Sequence, residues 1–363
     1  MDFKLPYNRK QMIKNLKLLF IASLALTSCK TDIDINAPYK DVCIVYGILN
    51  QNDTVHFIKI NKSFAGQADV QEMAKVRDSS EYNPKDLLVE ITETGGLNRK
   101  FTLKDTILLN KDLGYFYAPE ETIFYFKTAQ PLNNNSDAVS YSLKIYNKLL
   151  NKEITATTKL VKPFLIESPG ATAEKRISFA DDKGLLPFPT KVKWKSAKDA
   201  RRYDVKMSFN YFEINSNGDT IIPKPIEWIR KGIKSSSANG GESMETEFTS
   251  LEFYSKIMQE IPDDIHVKRL AYSLDFYFYA AGQELSTYIE VTEPSTGLVQ
   301  DKPEYSNLNN AIGIFSSRSN QQILNKGISA GTARFLKISE YTMSKNFIKY
   351  HNFAGTAQYF DIP

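Results

Sequence analysis

Cysteine is scarce in this chain, with two residues, Cys29 and Cys43, in 363. That excludes a fold stapled by several disulfides, and it excludes Cys-x-x-Cys zinc and redox motifs. Histidine is almost as rare: His56, His266 and His351 stand far apart in sequence. No His-Glu-x-x-His pair occurs, so no metal centre is expected. Neither a phosphate-cradling nor a dinucleotide-binding glycine loop can be found, and no cofactor follows from the sequence. Long apolar runs are lacking as well. The most extended, Leu18 to Leu26, is nine residues, where a membrane-spanning helix needs about 20. Charge of one sign is missing too, with 46 basic against 42 acidic residues. Lys4, Arg9, Lys10, Lys14 and Lys17 fall in the first 28 residues beside a lone acid, Asp2. Without that segment the formal charge drops from +4 to zero, so a nucleic-acid partner has no electrostatic basis.

What the N-terminus does contain is an address. A basic stretch to Lys17 is followed by the apolar run and then by Leu26-Thr27-Ser28-Cys29. This order is that of a secretory signal, and the last four residues resemble a bacterial lipobox. The resemblance implies cleavage before Cys29 and acylation of its thiol and amine; two or three acyl chains anchor stably where one does not. Residues 1–28 are read as a signal peptide and 29–40 as a lipidated tether. The early acids Asp32 and Asp34 are similar to the export signals of Bacteroidetes surface lipoproteins. The expected location is the outer membrane, lipid-anchored, at the cell surface or on the periplasmic face. Cys43, in Val42-Cys43-Ile44-Val45, reads as a small buried hydrophobe.

The remaining chain reads as mainly β, in two β-sandwich domains of immunoglobulin and fibronectin III type with one short inserted helix. The first spans 41–162. Its strands are Val42 to Leu49, Thr54 to Asn61, Leu87 to Glu93, Gly114 to Ala118, Thr122 to Lys127, Ser140 to Tyr146 and Glu153 to Leu160. In the sixth, Tyr141, Leu143 and Ile145 alternate with mostly polar residues, the pattern of a half-buried strand. A linker follows at 163–175, carrying Pro163 and Ser168-Pro169-Gly170. The second domain spans 176–320. Trp194 and Tyr203, nine residues apart on alternating segments, are similar to the B and C strands of a fibronectin III domain. The helix is expected at 250–261. Thr249 and Glu252 form a capping box, Leu251, Tyr254, Ile257, Met258 and Ile261 keep helical spacing, and Pro262 ends it. Residues 321–363 form a tail in which Phe335 to Ile338 suits a strand and Met343 to Phe353 an amphipathic helix.

Chemistry-bearing patterns are few. Gly327-Ile328-Ser329-Ala330-Gly331 matches a nucleophile elbow, which needs a strand before it and a helix after it. Here a poor strand precedes and a strand-like run follows, so a flexible loop is expected and no catalytic residue is assigned. Ser235 to Gly241 reads as a solvent loop or a binding loop. Phe276-Tyr277-Phe278-Tyr279 is apolar on both strand faces, so it is either doubly covered or offers one face to a partner or glycan. Trp228 is the other aromatic that could serve such a face. Asp53-Thr54-Val55, Asp105-Thr106-Ile107 and Asp219-Thr220-Ile221 resemble the O-glycosylation triplet of periplasmic and surface Bacteroidetes proteins, with Thr54, Thr106 and Thr220 as acceptors. A turn aspartate leading into a strand writes the same letters.

Two further segments are similar to an uncharacterised family of Bacteroidetes outer-membrane lipoproteins. One is Val45-Tyr46-Gly47-Ile48-Leu49. The other is Ser306-Asn307-Leu308-Asn309-Asn310-Ala311-Ile312-Gly313-Ile314-Phe315, which departs from the family pattern at Leu308 and Ala311. The resemblance implies a companion of TonB-dependent receptors and carries over no catalytic residues. The expected function is that of a non-catalytic accessory subunit bound to a β-barrel outer-membrane protein. The alternative is a stand-alone surface lipoprotein with a glycan or peptide ligand. If Cys29 is acylated, cells grown with labelled palmitate incorporate label into the wild-type chain, and Cys29→Ala abolishes it; persistent label in the variant contradicts the lipobox.

Overall fold

The computed structural model describes residues 41–63, 69–109, 111–112, 116–132, 136–171, 176–293, 304–348, 350–353 and 356–359. The signal segment, Cys29 and the tether lie outside the described residues. The chain is mainly β, arranged in several sheets. The first strands are β1 (Cys43–Asn50), β2 (Val55–Lys62), β3 (Leu87–Thr94), β4 (Lys100–Thr102), β5 (Lys104–Leu108), β6 (Glu121–Lys127), β7 (Ser140–Asn147) and β8 (Lys152–Thr158). Two short helices, α1 (Val70–Ala74) and α2 (Arg77–Ser80), precede β3. Then come β9 (Ile166–Ser168), β10 (Thr190–Lys195), β11 (Ala200–Ile214), β12 (Thr220–Ile221), β13 (Ile226–Lys234), β14 (Ser243–Phe248), α3 (Ser250–Glu260), β15 (Lys268–Gly282) and α4 (Gln283–Thr292). The chain continues with β16 (Ile312–Gly327), α5 (Ala330–Ile338), β17 (Phe347–Ile348), β18 (Tyr350–Phe353) and β19 (Thr356–Tyr359).

One 10-stranded sheet runs in the order β12-β11-β15-β16-β1-β2-β6-β5, with β13 also on β11 and β17 on β15. Over one half of it lies the sheet β4-β3-β7-β8, and over the other the sheet β14-β10-β9. Two hydrophobic cores fill the spaces between. In the first, Val45, Ile58 and Phe124 of the large sheet meet Ile91, Tyr141 and Ile145 of its cover. In the second, Val205, Phe209 and Phe278 meet Val192 and Trp194. Trp194 and Tyr203 are fully buried and face each other from opposite sheets, ring centroids 5.7 Å apart. The tyrosine hydroxyl takes the Ala197 N–H at 2.6 Å.

Strand β16 serves both cores. Its first half pairs in parallel with β1, Ile44 opposite Ile312 through Asn50 opposite Arg318. Its second half pairs antiparallel with β15. Leu308 and Phe315 therefore pack in the first core, although they lie in the segment 176–320. Phe164 and β9, from the segment 163–175, pack with the second. The glycines of the two signature segments meet here. A side chain at Gly47 would sit 2.6 Å from Ile58, and Gly313, at φ +114°, would drive one to 2.1 Å from the Val45 carbonyl. Asn307 acts as a surrogate strand: its amide donates to the Phe315 carbonyl at 2.7 Å and accepts the Phe315 N–H at 2.9 Å.

Several expectations are corrected. Strands β4 and β5, within residues 100–108, are additional to those read from the sequence. Residues 116–118, read as part of a strand, are irregular. Helix α3 has both capping-box bonds, but Phe253 is buried while Leu251 and Met258 are exposed. Phe253 stacks on Phe179 at 4.1 Å. The structure adds α4, and Phe335 to Ile338 is helical within α5 rather than strand. Residues 343–345 are a single 3-10 turn instead of an amphipathic helix. That turn is tied down by buried Arg269, which donates to the Lys345 carbonyl and to Glu213, both at 2.8 Å.

The first sandwich also contains a buried ion pair. Glu93 is fully buried and accepts from Arg99 at 2.5 and 2.8 Å, from the Leu97 N–H at 2.6 Å and from the Tyr141 hydroxyl at 3.0 Å. Burial alone raises this carboxyl; the donors outweigh it and hold the pKa below the usual glutamate value. Arg99→Ala leaves the carboxylate without its counter-ion and should cost about 3 kcal/mol in urea unfolding at neutral pH. A depressed carboxyl stabilises above its unfolded pKa and loses that contribution as pH falls through the folded value. The gap between wild type and variant should therefore narrow on acidification. A gap that is constant with pH contradicts this reading.

Candidate functional site

The outer face of the large sheet, over the first core, carries the most chemistry. Alternation along β2 and β6 turns His56, Ile58, Phe124 and Phe126 inward. The residues between them, Phe57, Lys59, Tyr125 and Lys127, point outward. Register then sets these residues in rows. Phe57 lies opposite Tyr125, and Tyr125 opposite Lys104 of β5. Phe57 is 43% exposed, and its ring lies 6.4 Å from that of Tyr125 at an interplanar angle of 41°. Lys127 approaches the Tyr125 ring at 5.9 Å. Lys59 on the same face is engaged by Glu121. A cleft of about 510 Å³ opens beside this row, lined by Phe101, Thr102, Lys104, Tyr125, Phe126 and Lys127.

A second cleft, of about 590 Å³, lies at the far side of β1 and includes Tyr46, Tyr288, Glu304, Tyr305 and Ile312 in its lining. Helix α4 brings Tyr288 edge-on to Tyr46, centroids 6.2 Å apart, with its hydroxyl 3.4 Å from that of Tyr46. Burial and the neighbouring Tyr46 hydroxyl push the Tyr288 phenol up to about 12. Burial, with the charge of Glu284, raises Tyr305 as well. These phenols stay neutral and serve as hydrogen-bonding aromatic walls.

The structure disposes of other sequence candidates one by one. Phe276 and Phe278 are buried in the second core, and Trp228 is 5% exposed with its indole N–H on the Glu252 carbonyl at 3.2 Å. Tyr277 faces out but is covered by Lys206 at 4.6 Å; Tyr279 remains 41% exposed. An outward aromatic pair exists, then, at Phe57, which is exposed, and Tyr125, which is half-buried. Thr54 is exposed before β2, Thr106 is half-buried on the edge strand β5, and Thr220 is exposed on the edge strand β12. Residues 235–241 are held against 196–199 by backbone bonds, Asp199 to Ala238 and Gly241 to Ser196, both 2.8 Å. Cys43 is buried, which with Asp41 pushes its thiol up to about 12. His56 is buried in the first core, stacked on Phe126 at 4.7 Å, and burial lowers its pKa despite nearby Asp53. His266 is exposed on a turn, and the side chain of His351 lies outside the described residues. Among the described residues no three His, Cys, Asp or Glu side chains gather as a metal site, and no helix is long and apolar enough to cross a membrane.

No family model matches the chain, and no curated protein matches it. Among solved structures it is similar to the C-terminal globular domain of an oligosaccharyltransferase from Pyrococcus abyssi. The identity is 12%, the match covers 64% of this chain and 49% of that one, and the TM-score is 0.20. The matched region thus spans about half the length of that domain.

The Gly-x-Ser-x-Gly segment does stand between a strand, β16, and a helix, α5, contrary to the sequence expectation. Its residues have structural work there. Ser329 caps α5, accepting the Thr332 N–H at 3.1 Å and contacting the Thr332 hydroxyl at 3.0 Å. Thr332 in turn accepts the Phe179 N–H at 2.7 Å. A side chain at Gly331 would meet the Asp181 carbonyl at 1.9 Å. Ser329→Ala should lower stability by about 1 kcal/mol through the lost cap. Thermal unfolding reads this directly, and an unchanged midpoint contradicts the capping role.

Proposed function

We propose that this chain is an outer-membrane lipoprotein, anchored through Cys29 and displayed at the cell surface. It would work as a non-catalytic accessory subunit of a β-barrel receptor of the TonB-dependent kind. The lipobox and the two family-like segments support this reading from the sequence side. The observation that carries it is the position of the tyrosine cleft. Tyr46 lies three residues beyond Cys43, where β1 begins, and Ile312 is opposite Ile44 at the start of β16. The tether of residues 29–40 reaches at most about 40 Å when extended. A partner embedded in the same membrane is therefore within reach of this end of the sandwich. Tyrosines with apolar rings and polar tips are the side chains that protein interfaces favour.

A second reading, solitary capture of a glycan or peptide, is favoured by a separate observation, the Phe57–Tyr125 pair on the open sheet face. Isolation of the tagged, lipidated chain from native outer membranes in mild detergent distinguishes the two. The accessory reading expects a β-barrel protein in stoichiometric yield, reduced at least about tenfold by Tyr46→Ala with Tyr288→Ala, the loss of roughly 1.4 kcal/mol. Recovery of the wild-type chain alone overturns it.

A further inference from the structure

We infer that the outer face of β5 and β6 binds an acidic saccharide, with a sugar ring on Tyr125 and Phe57 and a carboxylate or sulfate held between Lys104 and Lys127. This deepens the second reading above and does not rest on the barrel partner. The register supplies the geometry. Lys104 lies directly opposite Tyr125, and Lys127 is two residues along β6 on the same face. The two lysines are thus diagonal cross-strand neighbours about 7–8 Å apart, with Cβ atoms somewhat closer, flanking one phenol ring. An anionic group of a few ångströms can accept from both ammonium groups at that spacing.

Charge argues for the same occupant. Lys59 on this face is already neutralised by Glu121. Among the described residues no carboxylate pairs with Lys104 or Lys127, and Lys127 lies against the Tyr125 ring. Two lysines without a carboxylate partner among the described residues, set diagonally across paired strands, raise the local positive potential and so favour an anion. The aromatic surface defines the rest of the ligand. Phe57 and Tyr125 lie side by side at 41°, offering a shallow tilted floor rather than a parallel-walled slot. Such a floor suits the C–H face of a puckered sugar ring, whereas a flat nucleobase is gripped best between parallel rings. The adjoining cleft of about 510 Å³ has room for a neighbouring sugar unit.

The test is calorimetric titration of the full mature chain in detergent with three hexasaccharides: oligogalacturonate, chondroitin sulfate and neutral maltohexaose. At least one acidic chain should bind more tightly than the neutral one, with affinity falling as salt rises. Tyr125→Ala should weaken binding about tenfold, the worth of one stacked ring, while Tyr125→Phe keeps it. Lys104→Gln with Lys127→Gln should erase the preference for the acidic chain. These lysines are exposed, so this variant keeps the proposal falsifiable even if Tyr125→Ala fails to fold. Absence of binding by both acidic chains, equal binding of maltohexaose, insensitivity to the double lysine variant, or tighter binding of ADP than of either acidic chain overturns the proposal. None of these readouts depends on the receptor, so failure here and failure of the accessory reading are separate results.

Discussion

The fold turns on the parallel pairing of β1 with the first half of β16. Residues near 45 meet residues near 314, so almost the whole described chain is a loop closed by that contact. Closing so long a loop costs entropy that grows only slowly with its length, but it places the decisive pairing late in any folding order. Local chemistry makes the pairing specific. Gly47 and Gly313 let the strands and Phe315 approach where any Cβ would collide. On the other side of β16, where no strand is paired with Phe315, the side chain of Asn307 satisfies its backbone N–H and carbonyl. A buried peptide group left unpaired would be costly. One asparagine thus does what a whole strand would otherwise have to do.

Because β16 continues past Arg318 into pairing with β15, the two cores share one sheet and one strand. Ser317 reinforces the junction: its hydroxyl donates to the Lys159 carbonyl at 2.6 Å and accepts the Val161 N–H at 3.1 Å, just where the chain leaves the first sandwich for the second. Such a joint resists bending between the halves, since motion would have to break a continuous ladder. Whatever binds the outer face of the first half is therefore presented in a constant orientation to the second.

Much of this was legible in the residues. Strands with one apolar face, such as Tyr141 to Tyr146, announce themselves by period two, and Trp194 and Tyr203 marked the second core. The capping box of α3 was equally plain. Where reading failed, the physics explains it. In the β4–β5 segment Phe101 and Leu103 alternate inward, but β4 is three residues long and β5 is an edge strand without a buried residue, so the period is too short to read. Phe335 to Ile338 has strand-like residues, yet the cap at Ser329 and burial of Phe335 and Leu336 make it helical. The joint between the cores could not be read at all, because alternation reports that a strand is buried and says nothing of which distant strand it pairs with. The candidate face suffered from a related ambiguity. In Phe124-Tyr125-Phe126 both faces are aromatic, and only the packing of the cover sheet decides that Tyr125 is the one left outside.

Both halves of the large sheet carry outward aromatics, and what differs is the charge beside them. In the second half Lys206 lies over Tyr277 while pairing with Glu227 at 2.7 Å, and Tyr272 and Tyr279 are 38% and 41% exposed. There the cation over the ring is paired with a carboxylate. In the first half Phe57 is exposed, Tyr125 is half-buried with Lys127 at 5.9 Å from its ring, and Lys104 and Lys127 have no carboxylate partner among the described residues. An exposed aromatic floor is a liability for solubility unless something covers it, and flanking lysines discourage the edge-to-edge pairing that an open sheet invites. The lysines therefore have a role even without a ligand, as guards of the edge strand β5. That role asks only for positive charge along the edge. It does not require two lysines to flank one outward tyrosine ring, and it is this juxtaposition, set by the register of β5 on β6, that goes beyond protection.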